Sequence, residues 1–286
     1  PFQAMVEGNM LQVIVFAILV GVAILQAGDS GKTVLRGCQM ISDVIMRMVA
    51  ILMNLAPYGV FCLLAKLFTS QGFSAIINLA LYFGTIVFVL FLHASVVYTS
   101  IFALLTRLNP LTLFKNMRPA LLFAFSTSSS NATMPITLNV ARTRVGAHNS
   151  IASFTIPLGA TVNMDGTAIM QGIATVFIAQ AYGLDLTMSE YLAVVATATL
   201  ASIGTAGVPG VGLITLAMVL QQVGLPVEGI GLIIGVDRLL DMMRTVVNVS
   251  GDGMVTAVVA DSEGLLDRDM FNDLSDQDEH QKANAS

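Results

Sequence analysis

The chain has 286 residues, 55% of them hydrophobic and only 11% charged, with no Trp and a mean hydropathy of +0.80. Soluble domains carry about 25% charged residues, so this shortage points to a chain whose solvent is mostly lipid. With Gly 24, Pro 8 and Cys 2 it is neither collagen-like, disulfide-stapled nor disordered, and a net charge of −5 excludes a nucleic-acid surface. Cys38 and Cys62 lack metal-ligand spacing and read as small, buried apolar fillers. The chain opens at Pro1 and runs straight into an apolar stretch, which reads as a fragment.

A helix crosses the hydrocarbon core with about 20 apolar residues. The first candidate is Met10–Ala27, closed by the turn signal Gly28-Asp29-Ser30-Gly31. The second runs from Val44 to Phe68, with a kink expected at Pro57. Ala75–Leu105 is long enough to cross with tilt. Three further regions are interrupted: 120–141 by Ser126 through Asn131, 151–182 by Asn163 through Thr167, and 191–223 by Ser202 through Gly210. The last, Ile230–Ala260, holds Asp237, Asp241, Arg244, Asn248 and Asp252.

Loop charge sets sidedness. Lys115 and Arg118 precede the Ser-rich region, and Arg142 and Arg144 follow it, so both flanks belong to the cytoplasm. That region must enter and return on one side as a hairpin. The loops at 183–190 and 224–229 carry acids and no Lys or Arg, which makes the Gly-rich region a second hairpin from the opposite face. Two units of hairpin plus span with opposite topology are the mark of inverted-repeat transporters. Irregular backbone at that depth persists only where protein or a cavity covers it. The tail Asp261–Ser286, with eight acids, reads as a solvated cytoplasmic end.

In the last span, Asp237, Asp241, Arg244, Asn248 and Asp252 are spaced by 4, 3, 4 and 4 and share one helix stripe. Each such charge costs about 2.5–3.5 kcal/mol at the bilayer centre, so the stripe should face protein, water or ligand. An internal ion-pair ladder using Arg238 and Arg244 is the plainer alternative. Arg244 has a fork suited to a carboxylate, and Asp241, one turn earlier, suits an ammonium. Asn163, Asp165 and Thr167 converge only if the backbone unwinds, which Gly159 and Gly166 allow; the result would be a hard-oxygen site suited to Na⁺. The Ser128–Ser130 tip offers hydroxyls and backbone groups to a carboxylate. His93 reads as a satisfied buried histidine rather than a proton relay.

Ser128-Ser129-Ser130-Asn131-Ala132-Thr133-Met134-Pro135, Asn163 through Thr167, Ser202 through Gly210 and Asp241 through Asn248 resemble the signatures of the dicarboxylate/amino acid:cation symporters, the glutamate/aspartate transporters. Four motifs in order carry the resemblance, from Pro1 to about Gly264. It implies an all-α membrane protein with an inverted-repeat fold, two re-entrant helical hairpins and broken transmembrane helices. It also implies a homotrimer with an elevator-like moving part, and a chain that begins within the fourth transmembrane segment. The division expected is scaffold over residues 1–72, transport domain over 73–260 and cytoplasmic tail over 261–286. Known inverted-repeat transporters include this family, so the topology and the motifs are one line of support.

By similarity, Arg244 binds the substrate's side-chain carboxylate and Asp241 its amino group. Thr167, Gly212, Thr245, Asn248 and backbone near Ser129, Ser130 and Val208 complete the pocket. Gly159, Asn163, Asn248 and Asp252 match one Na⁺ site; Thr161, Ser202, Ile203 and Thr205 match a second; Asn163 and Asp165 match the retained half of a third. Gln171 stands where K⁺-countertransporting animal members carry Glu, which counts against K⁺ exchange. The extra Arg that members place at the position of Ser128 or of Met242 is absent here. Asp241 counts against plain C4-dicarboxylate relatives, and Arg244 against neutral amino-acid relatives. The expectation is an inner-membrane symporter of glutamate or aspartate, not an enzyme, driven by Na⁺ or H⁺. A C4-dicarboxylate symporter is the alternative within the family. A passive anion channel, or an intramembrane aspartyl hydrolase on Asp165 and Asp252, are the rivals from other classes.

Overall fold

The computed structural model describes residues 10–53 and 73–273, together with Gln3, Tyr58, Cys62 and Ala65. The kink expected at Pro57 and the tail beyond Asp273 lie outside the described residues. Those described are all-α, with one isolated antiparallel bridge between Ala147 and Leu266. The helices are α1 (Met10–Gln26), α2 (Gly28–Met53), α3 (Phe73–Leu92), α4 (Thr99–Thr106), α5 (Pro110–Thr127), α6 (Ser130–Thr143) and α7 (Asn149–Val162). They continue with α8 (Asp165–Ala181), α9 (Met188–Ile203), α10 (Val211–Gln222), α11 (Ile234–Ser262) and α12 (Arg268–Asn272). A π-helical segment, His93–Tyr98, joins α3 to α4, and a 3₁₀ turn, Val227–Leu232, precedes α11.

Contacts divide the chain into two interleaved units. One comprises Pro1–Tyr82, Ala174–Ala201 and Leu213–Asp237; the other comprises Phe83–Ile173, Ser202–Gly212 and Arg238–Ser286. In the first unit α1 packs on α2 across a turn of one residue, Ala27. The turn signal at 28–31 therefore does not end in a loop: Gly28, at φ +57°, restarts the helix at once. Cys38 and Cys62 are exposed rather than buried. The described side chains around Cys38 on α2 are mostly exposed in the single chain, so a small apolar residue there has no core to fill.

Among the described residues one helix, Ile77–Thr106, is long and apolar enough to cross a bilayer alone. It agrees with the expected span at 75–105, and its left-handed C-cap is Arg107 at φ 58°. The three interrupted regions are cut into shorter pieces, as their polar interruptions foretell. The Ser-rich region becomes the helix pair α5–α6. Asn109 caps α5 by accepting from the Leu111 N–H at 2.9 Å, with Pro110 at the first helical position. Ser128, at φ 54°, ends α5, and the hydroxyl of Ser129 accepts from the Ala132 N–H to start α6. The two helices pack on each other, which makes a hairpin. The 151–182 region breaks at Asn163-Met164 into α7 and α8, and the 191–223 region breaks at 204–210 into α9 and α10.

Helix α9 starts on a reciprocal cap: Glu190 accepts from the N–H and hydroxyl of Thr187 at 2.6 and 2.7 Å, while its own N–H donates to the Thr187 hydroxyl. Thr187→Ala is expected to cost about 1 kcal/mol. It should lower the unfolding midpoint of the purified protein and speed amide exchange at Glu190 and Tyr191. An unchanged midpoint with unchanged exchange would contradict the cap.

Candidate functional site

The predicted polar stripe on α11 is inward over its length. Asp241, Arg244, Thr245, Asn248 and Asp252 are each under 5% exposed. Arg238 is exposed and stands apart from them. Arg244 directs Nε and Nη2 at one oxygen of Asp241, both at 2.9 Å. The other oxygen, Oδ2, accepts from the Gly210 N–H at 2.9 Å. The ladder alternative thus holds at Asp241–Arg244.

The guanidinium lies flat against Gly212, where an added Cβ would sit 2.8 Å from Cζ. Gly166 allows an equally close approach of α8 to α11, since its Cβ would lie 2.6 Å from the Arg244 carbonyl oxygen. Around this pair is a cavity of about 10 Å³, room for about one water. Ser128, Ser130, Thr167, Thr205, Val208, Gly212, Thr245 and Asn248 line it with Asp241 and Arg244.

Two tips meet at its edge. The Ser129 hydroxyl donates to the Gly207 carbonyl at 2.6 Å, and the Asn131 N–H donates to the same oxygen at 3.0 Å. Ser129 therefore spends its side chain on capping and on this contact, and Ser130 is the neighbour that lines the cavity. The Ser128 hydroxyl is buried in the cavity wall, without a hydrogen-bond partner among the described residues.

The break at Asn163-Met164 turns its neighbours toward α11 and toward the π segment. Asn163 donates to Asp252 Oδ1 at 2.9 Å and to the Asn248 carbonyl at 3.2 Å. Asp165 Oδ2 pairs with His93 Nε2 at 3.1 Å and accepts from the Tyr98 hydroxyl at 3.0 Å. Thr167 lies beside Asn248 at 3.5 Å. Asn163 and Thr167 thus both reach Asn248, whereas Asp165, in the first turn of α8, turns to His93 and Tyr98. Asn248 accepts from the Gly166 N–H at 2.8 Å and donates to the Met164 thioether at 3.2 Å. It thus clamps both sides of the break to α11.

Gly159 approaches the Asp252 carboxylate so closely that a Cβ would lie 2.9 Å from Cγ. On the facing turns Gly251 admits Tyr98 and Asn163, and Gly253 admits Met117. Of the second proposed cation set, Ser202 and Thr205 are buried, whereas Ile203 is exposed. Thr161 is exposed too, and turns its hydroxyl back to the Leu158 carbonyl at 2.9 Å.

His93 and Tyr98 were not recognisable as partners of Asp165. Residues five apart on an α-helix diverge by about 140°, and only the π turn between them brings both to one carboxylate. Met164 and the Gly207 carbonyl were missed because neither a thioether nor a main-chain oxygen stands out in a sequence.

The whole stretch 1–262 matches the sodium:dicarboxylate symporter family. Among curated relatives, excitatory amino acid transporter 3 of Mus musculus is 40% identical over 252 residues, 88% of this chain and 48% of that protein. An excitatory amino acid transporter of Caenorhabditis elegans is 39% identical over 253 residues, 88% and 50% of the two chains. Excitatory amino acid transporter 1 of Mus musculus is 37% identical over 289 residues, 99% and 53%. The chain thus spans about half the length of these relatives. On the strength of a match that takes in both hairpin motifs, the helix break and the charged stripe of α11, the chain belongs to the sodium:dicarboxylate symporter family.

Proposed function

We propose that this chain carries the binding centre of a secondary active symporter for L-glutamate or L-aspartate, coupled to Na⁺ or H⁺. The observation behind the reading is the buried Asp241–Arg244 pair at the cavity wall. A buried pair is held at a desolvation cost of several kcal/mol per ion, and a ligand bearing both charges can replace each partner. An amino acid with an acidic side chain does so: its carboxylate takes the Arg244 fork and its ammonium takes Asp241. Thr167, Gly212, Thr245, Asn248 and the backbone of Ser129, Ser130 and Val208 would complete the pocket, next to the positive N-terminal end of α6. The names of the relatives support an amino-acid substrate. The dicarboxylate in the family's description supports a C4-dicarboxylate as the second reading, against which stands the repulsion Asp241 would exert on a second carboxylate.

Room for about one water does not admit an amino acid, so the 204–210 tip would withdraw for loading and return over the cargo. Na⁺ is read as co-transported cargo. The Asp252 carboxylate, the Gly159 backbone, Asn163 and the Asn248 carbonyl are a hard-oxygen set suited to it. Backbone at Thr161, Ser202, Ile203 and Thr205, and the pair Asn163 and Asp165, are the further candidates. Among the described residues no three of His, Cys, Asp and Glu cluster as ligands for a softer metal. The remaining elements of the proposal are placement in a cell inner membrane with a cytoplasmic tail, hairpins entering from opposite faces, a homotrimer, and elevator motion of residues 73–260 against a scaffold that includes 1–72.

Uptake of labelled aspartate by the reconstituted transporter should depend on an imposed Na⁺ gradient or, failing that, on a proton gradient. Uptake indifferent to both would favour a passive channel. Arg244→Ala should lower aspartate uptake at least about 100-fold, about 2.7 kcal/mol, in protein that still elutes as a folded oligomer. Wild-type uptake by that variant would sink the assignment. Asp252→Asn should raise the Na⁺ concentration for half-maximal uptake about tenfold or more; an unchanged Na⁺ dependence would remove Asp252 from the cation site.

A further inference from the structure

Residues 265–272, expected as part of a solvated tail, are instead packed on the protein. Leu265–Asp267 runs antiparallel to the loop between α6 and α7. The His148 N–H donates to the Leu265 carbonyl at 3.0 Å, and the Asp267 N–H donates to the Gly146 carbonyl at 2.8 Å. Gly146 sits at φ +80°, and a Cβ there would collide with the Asp267 backbone. Asp267 then caps α12 by accepting from the N–H groups of Asp269 and Met270. Phe271 is fully buried against Phe102 at a ring separation of 5.9 Å, and its carbonyl accepts from Asn116 Nδ2 at 2.9 Å. Arg268 donates to Asp261 at 2.7 and 3.0 Å and to the Thr106 carbonyl at 3.2 Å. Eight residues thereby fasten the end of α4, the first half of α5, the α6–α7 loop and the end of α11 to one another.

These attachments lie far from the cavity. Asn116 and Ser128 are twelve residues apart on one helix, about 18 Å. At the cavity end, the α5–α6 tip is tied to the segment 204–210 through the Gly207 carbonyl. When that segment withdraws, as the proposed function requires, the tip loses both bonds. We infer that Leu265–Asn272 is a buckle that positions the α5–α6 hairpin from its base, so that Ser128–Ser130 stay aligned with Asp241–Asn248 while the 204–210 tip moves.

A double-mutant cycle tests this without any substrate. Gly207→Ala places a Cβ 2.8 Å from Asn131 Oδ1 and pushes the tips apart; Phe271→Ala opens the buckle. The readout is hydrogen exchange across Ser128–Thr133 in the full-length transporter in lipid nanodiscs. Each single variant should raise exchange there no more than about threefold, because the other attachment persists. The pair together should raise it at least about thirtyfold, well beyond the product of the singles. If Phe271→Ala impairs folding, Arg268→Ala loosens the same buckle through its bonds to Thr106 and Asp261. A strictly multiplicative double variant, or Gly207→Ala alone producing the full rise, overturns the inference. Aspartate uptake fails or succeeds separately, so loss of the transport reading is distinguishable from loss of the buckle.

Discussion

The main chain around the cavity is arranged to keep one buried ion pair satisfied. Asp241 and Arg244 sit three residues apart on α11 with almost no exposure. Removing one partner of such a pair leaves an uncompensated charge, typically destabilising by about 3–5 kcal/mol. The structure meets that demand with polar backbone: the Gly210 N–H completes Asp241, and Gly212 lets the guanidinium lie against the main chain. Backbone can serve in this way only where helices stop. The helix ends at Ile203 and Val211 are therefore as much a consequence of the pair as the pair is of α11.

The same economy governs the neighbouring break. Ending α7 at Val162 frees Asn163 to reach Asp252 and the Asn248 carbonyl, and restarting at Asp165 offers the Gly166 N–H to Asn248. Bonds thus run from both sides of the break to two successive turns of α11. A rotation of α11 by one residue would sever all of them. Asp165, turned to His93 and Tyr98, extends the frame to the π segment.

Much of this was legible in the sequence, for identifiable reasons. The spacing of Asp241, Arg244, Asn248 and Asp252 requires a shared face on any helix, and a face so costly in lipid must be covered. Ser126–Asn131, Asn163–Thr167 and Ser202–Gly210 interrupt apolar runs with residues that favour caps and turns, and helices end at each. Tertiary choices were not legible. That α2 restarts at Gly28 depends on φ at one residue, and the exposure of Cys38 depends on which faces of α2 find neighbours. The partners of Asp165 depend on a π turn that no local preference announces. The fastening of residues 265–272 pairs Phe271 with Asn116 and Phe102, and Arg268 with Thr106, residues more than 150 positions away that no local pattern connects.

The Gly251-Asp252-Gly253 run in α11 carries a practical consequence. Each helix-interior glycine costs roughly 0.5–1 kcal/mol relative to Ala, so replacing glycines by alanine is an ordinary route to a sturdier protein. Here that route is closed on the Gly251 side, where a Cβ would lie 2.6 Å from the Tyr98 hydroxyl. On the Gly253 side its nearest neighbours are Cε and Sδ of Met117, the flexible end of a side chain. Thermostabilised forms of this protein for structural work should therefore leave Gly251 alone and treat Gly253 as negotiable, a distinction that a search for helix-weakening residues by type would not make.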